Sequence, residues 1–202
     1  MNKLIFEKYS DYYDLLYSDK DYNSEAKYIY NLISRHGTNF KDILEFGSGT
    51  GSHAAILVGL GYKVHGIELS ANMVSKAKII PGFTCQQGNI ATTKMNKTYD
   101  VILSLFHVMS YQITNKQLKD VFANASEHLN KNGLFIFDFW YSPAVYFQKP
   151  SVRVKRAANK KIEITRIAEP VIKSNEHIVD INYSIFIKNL IDQKIDMIKE
   201  TH

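Results

Sequence analysis

The sequence predicts an α/β fold, a doubly wound and mostly parallel sheet with an antiparallel β meander appended. Three observations predict it. Residues 1–140 alternate short apolar runs with helical patterns, each run breaks into a glycine or polar turn, and residues 151–200 change to two-residue alternation. The 202 residues, 45% hydrophobic and 22% charged, supply apolar material for one domain with an appendage and exclude wholesale disorder.

The elements follow in order. Ala26, Ile29, Leu32 and Ile33 recur at helical spacing, and Gly37 stops that helix. Asp42–Phe46 is a short apolar strand breaking into Gly47-Ser-Gly-Thr-Gly51, and His53–Val58 is the helix after it. Lys63–Leu69 is a second strand, with Ser70 capping a helix that carries Met73, Val74 and Ala77. Phe83–Gln87 is a third strand, ending at Gly88-Asn89. Tyr99–Leu105 reads as a strand buried on both faces. Leu118, Val121, Phe122, Ala125 and Leu129 mark an amphipathic helix; Gly133 ends it and leads into a fifth strand, Leu134–Trp140. Beyond Val152, the runs 162–167, 178–187 and 194–199 alternate as half-exposed antiparallel strands do. Three regions result: a helical cap over 1–40, a core over 41–145 and an antiparallel extension over 146–202.

Composition excludes several classes. One cysteine, Cys85, rules out a disulfide scaffold, and the histidines show no HExxH, so no metal site is expected. No apolar run reaches the ~18 residues of a membrane helix. The N-terminal residues lack the pattern of a signal peptide, so a cytoplasmic chain with no membrane partner is expected. The net charge of +5 comes mostly from Arg153–Lys161, read as the solvated surface of a hairpin.

Ligands of such sheets bind beyond the carboxyl ends of the strands. The polar segments there are Glu45–Gly51, Glu68–Ser70, Gly88–Ile90 and Ser104–Tyr111. Glycines let a strand turn sharply and let backbone amides approach a ligand. Here they stand first, third and fifth, with Ser52 sixth, unlike the dinucleotide fingerprint with its small residues first, third and sixth. The acid Glu45, two residues before Gly47, repels a pyrophosphate but suits a cation. Glu68, seventeen residues beyond Gly51, ends the second strand, where a carboxylate can take both hydroxyls of a ribose.

On these residues, 44–140 resemble the class I S-adenosylmethionine-dependent methyltransferases, whose fold is a Rossmann-like sheet. The family's E/D-x-G-x-G-x-G motif is present as Glu45–Gly51 and its ribose acid as Glu68. Asn89 stands where the family usually has Asp. The resemblance implies S-adenosyl-L-methionine as cofactor, held by Glu45, Phe46, Gly47, Ser48, Gly49, Gly51, Glu68, Leu69, Met73, Gly88, Asn89, Ile90, Leu105 and Phe106. Of these, Gly47 and Gly49 approach the methionine portion, Leu69 and Met73 flank the adenine, and Glu45 and the Leu105–Phe106 backbone lie near the amino-acid end.

The aromatic N-terminal segment Tyr9–Tyr22, with Leu105–Tyr111, looks like the small-molecule branch that includes sugar N,N-dimethyltransferases and glycine or sarcosine N-methyltransferases. In that branch N-terminal tyrosines cover the cofactor, which makes Tyr9, Tyr13 and Tyr17 candidates, Tyr13 for the cofactor and Tyr17 for the acceptor. His107 is the candidate base, because it follows the fourth strand directly. Tyr111, Asp138 and Trp140 are candidates to line the acceptor pocket. The expected activity is methyl transfer to nitrogen or oxygen of a small-molecule acceptor. The alternatives are a truncated cofactor-binding domain without turnover and a nucleic-acid methyltransferase; a third, an NAD-dependent oxidoreductase, is disfavoured by the glycine spacing. The prolines form neither an Asn/Asp-Pro-Pro-Tyr/Phe element nor a Pro-Cys, so no nucleic-acid partner is expected. The family's last strand pair is not in the sequence after the meander, which predicts either a longer protein or a homodimer through the exposed edge of the fifth strand.

Overall fold

The computed structural model describes residues 10–202. It divides into two compact units, one of Asp21–Phe139 and one of residues 10–20 with Trp140–His202. In chain order the helices are α1 (Ser10–Leu16), α2 (Tyr22–His36), α3 (Ser52–Gly59), α4 (Ala71–Ser75), α5 (Asn115–His128) and α6 (Ser142–Phe147). The strands are β1 (Asp42–Phe46), β2 (Lys63–Glu68), β3 (Phe83–Gln87), β4 (Tyr99–Ser104), β5 (Leu129–Phe137), β6 (Arg153–Ala158), β7 (Ile162–Lys173), β8 (Ile178–Asn189) and β9 (Ile195–Thr201).

The unit Asp21–Phe139 is the expected doubly wound sheet, all parallel, in the order β3-β2-β1-β4-β5. Ile43, Val101 and Leu103 face a core built with Ala26, Ile29 and Ile33 of α2 and Ala54 and Leu57 of α3. Leu44, Phe46 and Ile102 face the other core, with Val121 and Ala125 of α5. Burial on both faces is why β1 and β4 read as continuous apolar runs, each such side chain contributing about 1.5–3 kcal/mol. Asp21 caps α2 by accepting the Ser24 amide at 2.9 Å, and Gly37 ends it. Thr114 and Gln117 close a capping box at the start of α5.

The boundaries differ from the sequence reading in two places. The first falls at Lys20/Asp21 instead of residue 40, because the apolar face of α2 is buried in the same core as β1. The fifth strand runs Leu129–Phe137, not 134–140: α5 already stops at His128, and a register irregularity opposite Tyr99 and Val101 absorbs Asn130–Gly133. Asp138 and Trp140 therefore lie past the strand. β5 stands at the end of the sheet order, as expected of an edge.

The second unit is a four-stranded antiparallel sheet in the order β6-β7-β8-β9, the expected meander with one strand more. Ile164, Ile185 and Ile187 pack with Leu16 of α1 on one face. The basic stretch forms β6 and the turn after it, and Lys155 pairs with Asp19 at 2.6 Å. Among the described residues no helix is long and apolar enough to cross a membrane.

Candidate cofactor site at the carboxyl ends of the parallel strands

The glycine turn leaves β1 with three left-handed residues, Gly47 (φ 72), Gly49 (φ 55) and Gly51 (φ 81). They are glycines for different reasons. A Cβ at Gly47 would stand 2.5 Å from Val108 Cγ2, and one at Gly51 would stand 2.3 Å from Phe83 Cε1; both positions are closed by the protein itself. A Cβ at Gly49 would find only the Met73 sulfur, at 3.8 Å, so that position faces open space. Gly49 is the glycine a ligand can approach.

Two acids frame this turn, and both are buried, Glu45 2% and Glu68 7% exposed. Glu68 accepts the Gly49 amide at 3.0 Å on one oxygen and the Ser70 amide at 2.8 Å on the other. Burial pushes its carboxyl up, against the lowering effect of those amides. Glu45 has no such support. Burial, and then the Glu68 charge, push its carboxyl from an ordinary 4.5 to about 8, and its Oε2 has no hydrogen-bond partner. A buried carboxylate oxygen without a donor is costly and calls for a cation or a donor from outside the fold.

Sequence reasoning missed what stands behind Glu45. His53, in the first turn of α3, has Nδ1 4.0 Å from Glu45 Oε1, while its Nε2 lies 2.7 Å from Glu25 of α2. A histidine two residues past a glycine turn was the only available signal. Glu25 arrives through tertiary packing alone.

Of the other expected cofactor residues, Met73 is buried beside Gly49 and Leu69 is half exposed after β2. Phe46 and Ile90 are core side chains, so only their backbones remain for a ligand. Ser48 turns its Oγ to Cys85 Sγ at 3.4 Å, under Gly66. Gly88 donates to the Glu68 carbonyl at 2.9 Å. Asn89 Oδ1 accepts the Ala91 amide at 2.8 Å, which commits that oxygen to its own turn. Leu105 is core, and Tyr111 ends a short 3-10 turn, Val108–Tyr111.

Phe106 (φ 61) and His107 (φ 66) are two successive non-glycine residues in the left-handed region, at a cost of about 1–2 kcal/mol each. Asp138 holds them, its Oδ2 accepting the Phe106 amide at 2.9 Å and its Oδ1 the His107 amide at 2.6 Å. The His107 ring Nδ1 is 3.9 Å from the same carboxylate. Tyr13, Tyr17 and Trp140 belong to the other unit, where Tyr17 accepts from Arg166 at 2.9 Å. Tyr9 lies outside the described residues.

The donor set fits S-adenosylmethionine: Glu68 retains acceptor capacity for two ribose hydroxyls, Gly49 has room for close approach, and the orphaned Glu45 oxygen suits the ammonium of the amino-acid end. Residues 43–133 match the family model described as a methyltransferase domain. The chain is similar to a dTDP-3-amino-3,4,6-trideoxy-alpha-D-glucopyranose N,N-dimethyltransferase of Streptomyces venezuelae, 28% identical over 141 residues, 68% of this chain and 60% of that protein. It spans 54–64% of the length of the curated relatives it matches. The fold is that of the sugar N-methyltransferase KedS8 of Streptoalloteichus sp. (TM-score 0.87, 17% identity, 100% of this chain and 79% of that one). It is also that of the SAM-bound amino pentose methyltransferase CalS10 of Micromonospora echinaspora (TM-score 0.77, 19% identity, 100% and 83%). By family model, residues 43–133 match a methyltransferase domain, and the fold around them is that of S-adenosylmethionine-dependent methyltransferases.

Proposed function

We propose that the chain binds S-adenosylmethionine and transfers its methyl group to a small-molecule acceptor, and that the accepting atom is the nitrogen of a nucleotide-linked amino sugar. The observation that carries the cofactor reading is the buried pair Glu45 and Glu68 around an open Gly49, with one Glu45 oxygen unpartnered. The acceptor reading draws support from the relative that acts on a dTDP-amino sugar.

Bound in this place, the sulfonium supplies an already activated methyl group. The chain's own residues then have three tasks. Glu68 receives the ribose hydroxyls on the lone pairs that Gly49 and Ser70 leave, and Glu45 receives the ammonium of the amino-acid end. The turn Leu105–Val108 shapes the wall beside the methionine portion and aligns the reactants. His107 takes the proton that an ammonium acceptor must lose before its nitrogen can attack. Tyr111 beside the acceptor completes the reading, as do a cytoplasmic setting, the absence of a nucleic-acid partner and a second copy along the β5 edge.

The test is calorimetry with S-adenosylhomocysteine against NAD, followed by methyl-transfer assays over nucleotide-linked amino sugars, glycine-type amines and small phenols. S-Adenosylhomocysteine should bind and NAD should not, and Glu68→Gln should weaken the former by about tenfold or more, the loss of a charge-assisted bond. Equal binding of NAD would sink the cofactor reading. Turnover of phenols alone would move the target to oxygen, and binding with no turnover would leave a cofactor-binding domain.

A further inference from the structure

The backbone after β4 carries a conformational penalty at two adjacent residues, and the Asp138 side chain accepts the amides of both. Phe106 (φ 61) and His107 (φ 66) carry Cβ atoms in a region where most residues are disfavoured. Each directs its amide at one oxygen of Asp138, which lies 32 and 31 residues further along the chain, just past β5. Asp138 is itself fixed, donating its own amide to the Ser104 carbonyl at 3.2 Å. The carboxylate thus bridges the ends of two neighbouring parallel strands. The turn it holds reaches Val108, whose side chain occupies the space beside Gly47 so fully that a Cβ there would come within 2.5 Å.

We infer that Asp138 is a positioning residue, whose carboxylate clamps the Phe106–Val108 turn in its left-handed conformation, closes Val108 onto the glycine turn and sets His107 at the site. The clamp itself stands on this geometry, and its purpose rests on the methyltransferase reading above. An aspartate suits the task because both its oxygens accept, one for each amide. Asparagine has one accepting oxygen and turns a donor toward the second amide, so the isosteric change opens the clamp without changing its volume. Without the clamp, the strained turn relaxes, Val108 leaves Gly47 and the wall of the cofactor site is lost.

Relief of the strain provides the specific test. Glycine takes the left-handed region freely, so Phe106→Gly lets the turn persist with less help from Asp138. Wild type, Asp138→Asn, Phe106→Gly and the double variant are compared as full chains, by hydrogen exchange at the amides of residues 106 and 107 and by calorimetry with S-adenosylhomocysteine, with far-UV circular dichroism as the check on folding. Asp138→Asn should speed exchange and weaken binding by about tenfold each in the wild-type background, and by about threefold or less in the Phe106→Gly background. Unchanged exchange, or the same factor in both backgrounds, would overturn the clamp. If wild type binds no S-adenosylhomocysteine the cofactor reading fails, and the exchange factors still support or overturn the clamp alone.

Discussion

The two sheets of this chain bury apolar residues by different rules. In β1, Ile43 and Leu44 are neighbours in sequence and both fully buried, because helices cover each face of a parallel sheet. In β7, Ile164 is fully buried while Glu163 is exposed and Thr165 only half-buried, because the antiparallel sheet commits one face to its core. The consequence is chemical as well as structural. With both faces filled, the parallel sheet leaves its strand ends for polar work, and Glu45, Glu68, Phe106 and His107 all stand there. The antiparallel sheet places polar groups on its packed face, where Arg166, 8% exposed, lies over the rings of Tyr17 at 5.4 Å and Tyr183 at 4.9 Å.

The contrast is most easily broken by adjacent substitutions. Ile43→Ala and Leu44→Ala should each cost about 2–5 kcal/mol in urea unfolding, whereas Ile164→Ala should cost as much and Thr165→Ala under about 1 kcal/mol. Equal losses at 164 and 165 would end the distinction. A smaller effect belongs to the acid at the end of β1. The native Glu45 carboxyl holds its proton more tightly than the unfolded one, so the stability it contributes is complete below pH 4.5 and is lost as pH rises towards about 8. Thermal unfolding without ligand should therefore weaken over that window by up to about 1 kcal/mol per pH unit, and Glu45→Gln should flatten the slope. The third test sharpens the comparison within the glycine turn. Gly47→Ala should lower stability and ligand binding together, while Gly49→Ala, with space around it, should cost only about 1 kcal/mol of stability but obstruct S-adenosylhomocysteine.

The same two burial rules decided how much could be read from sequence. Unbroken apolar runs and the alternation after Val152 yielded both sheets, and the strand-end glycines and acids pointed to Glu45, Gly49 and Glu68, which the structure gathers around one turn. The reading went astray where local pattern and tertiary demand part. Gly133 looked like a helix stop but lies within the irregular start of β5, and α2 read as part of a cap although its apolar stripe fills the parallel core. That the side chains of Phe46 and Ile90 turn into the core could not be read either, because motif positions say nothing of which way a side chain turns. Glu25 and the double acceptance by Asp138 depend on residues 28 and about 31 positions away, beyond the reach of any local pattern.

The link from Glu45 through His53 to Glu25 ends beside a natural reporter. The Tyr22 ring stands edge-on to His53 with centroids 4.9 Å apart. Any redistribution of charge along that chain alters the electric field on a phenol chromophore, so a cation binding at Glu45 should register in ultraviolet difference spectra without a label, with Tyr22→Phe as the blank.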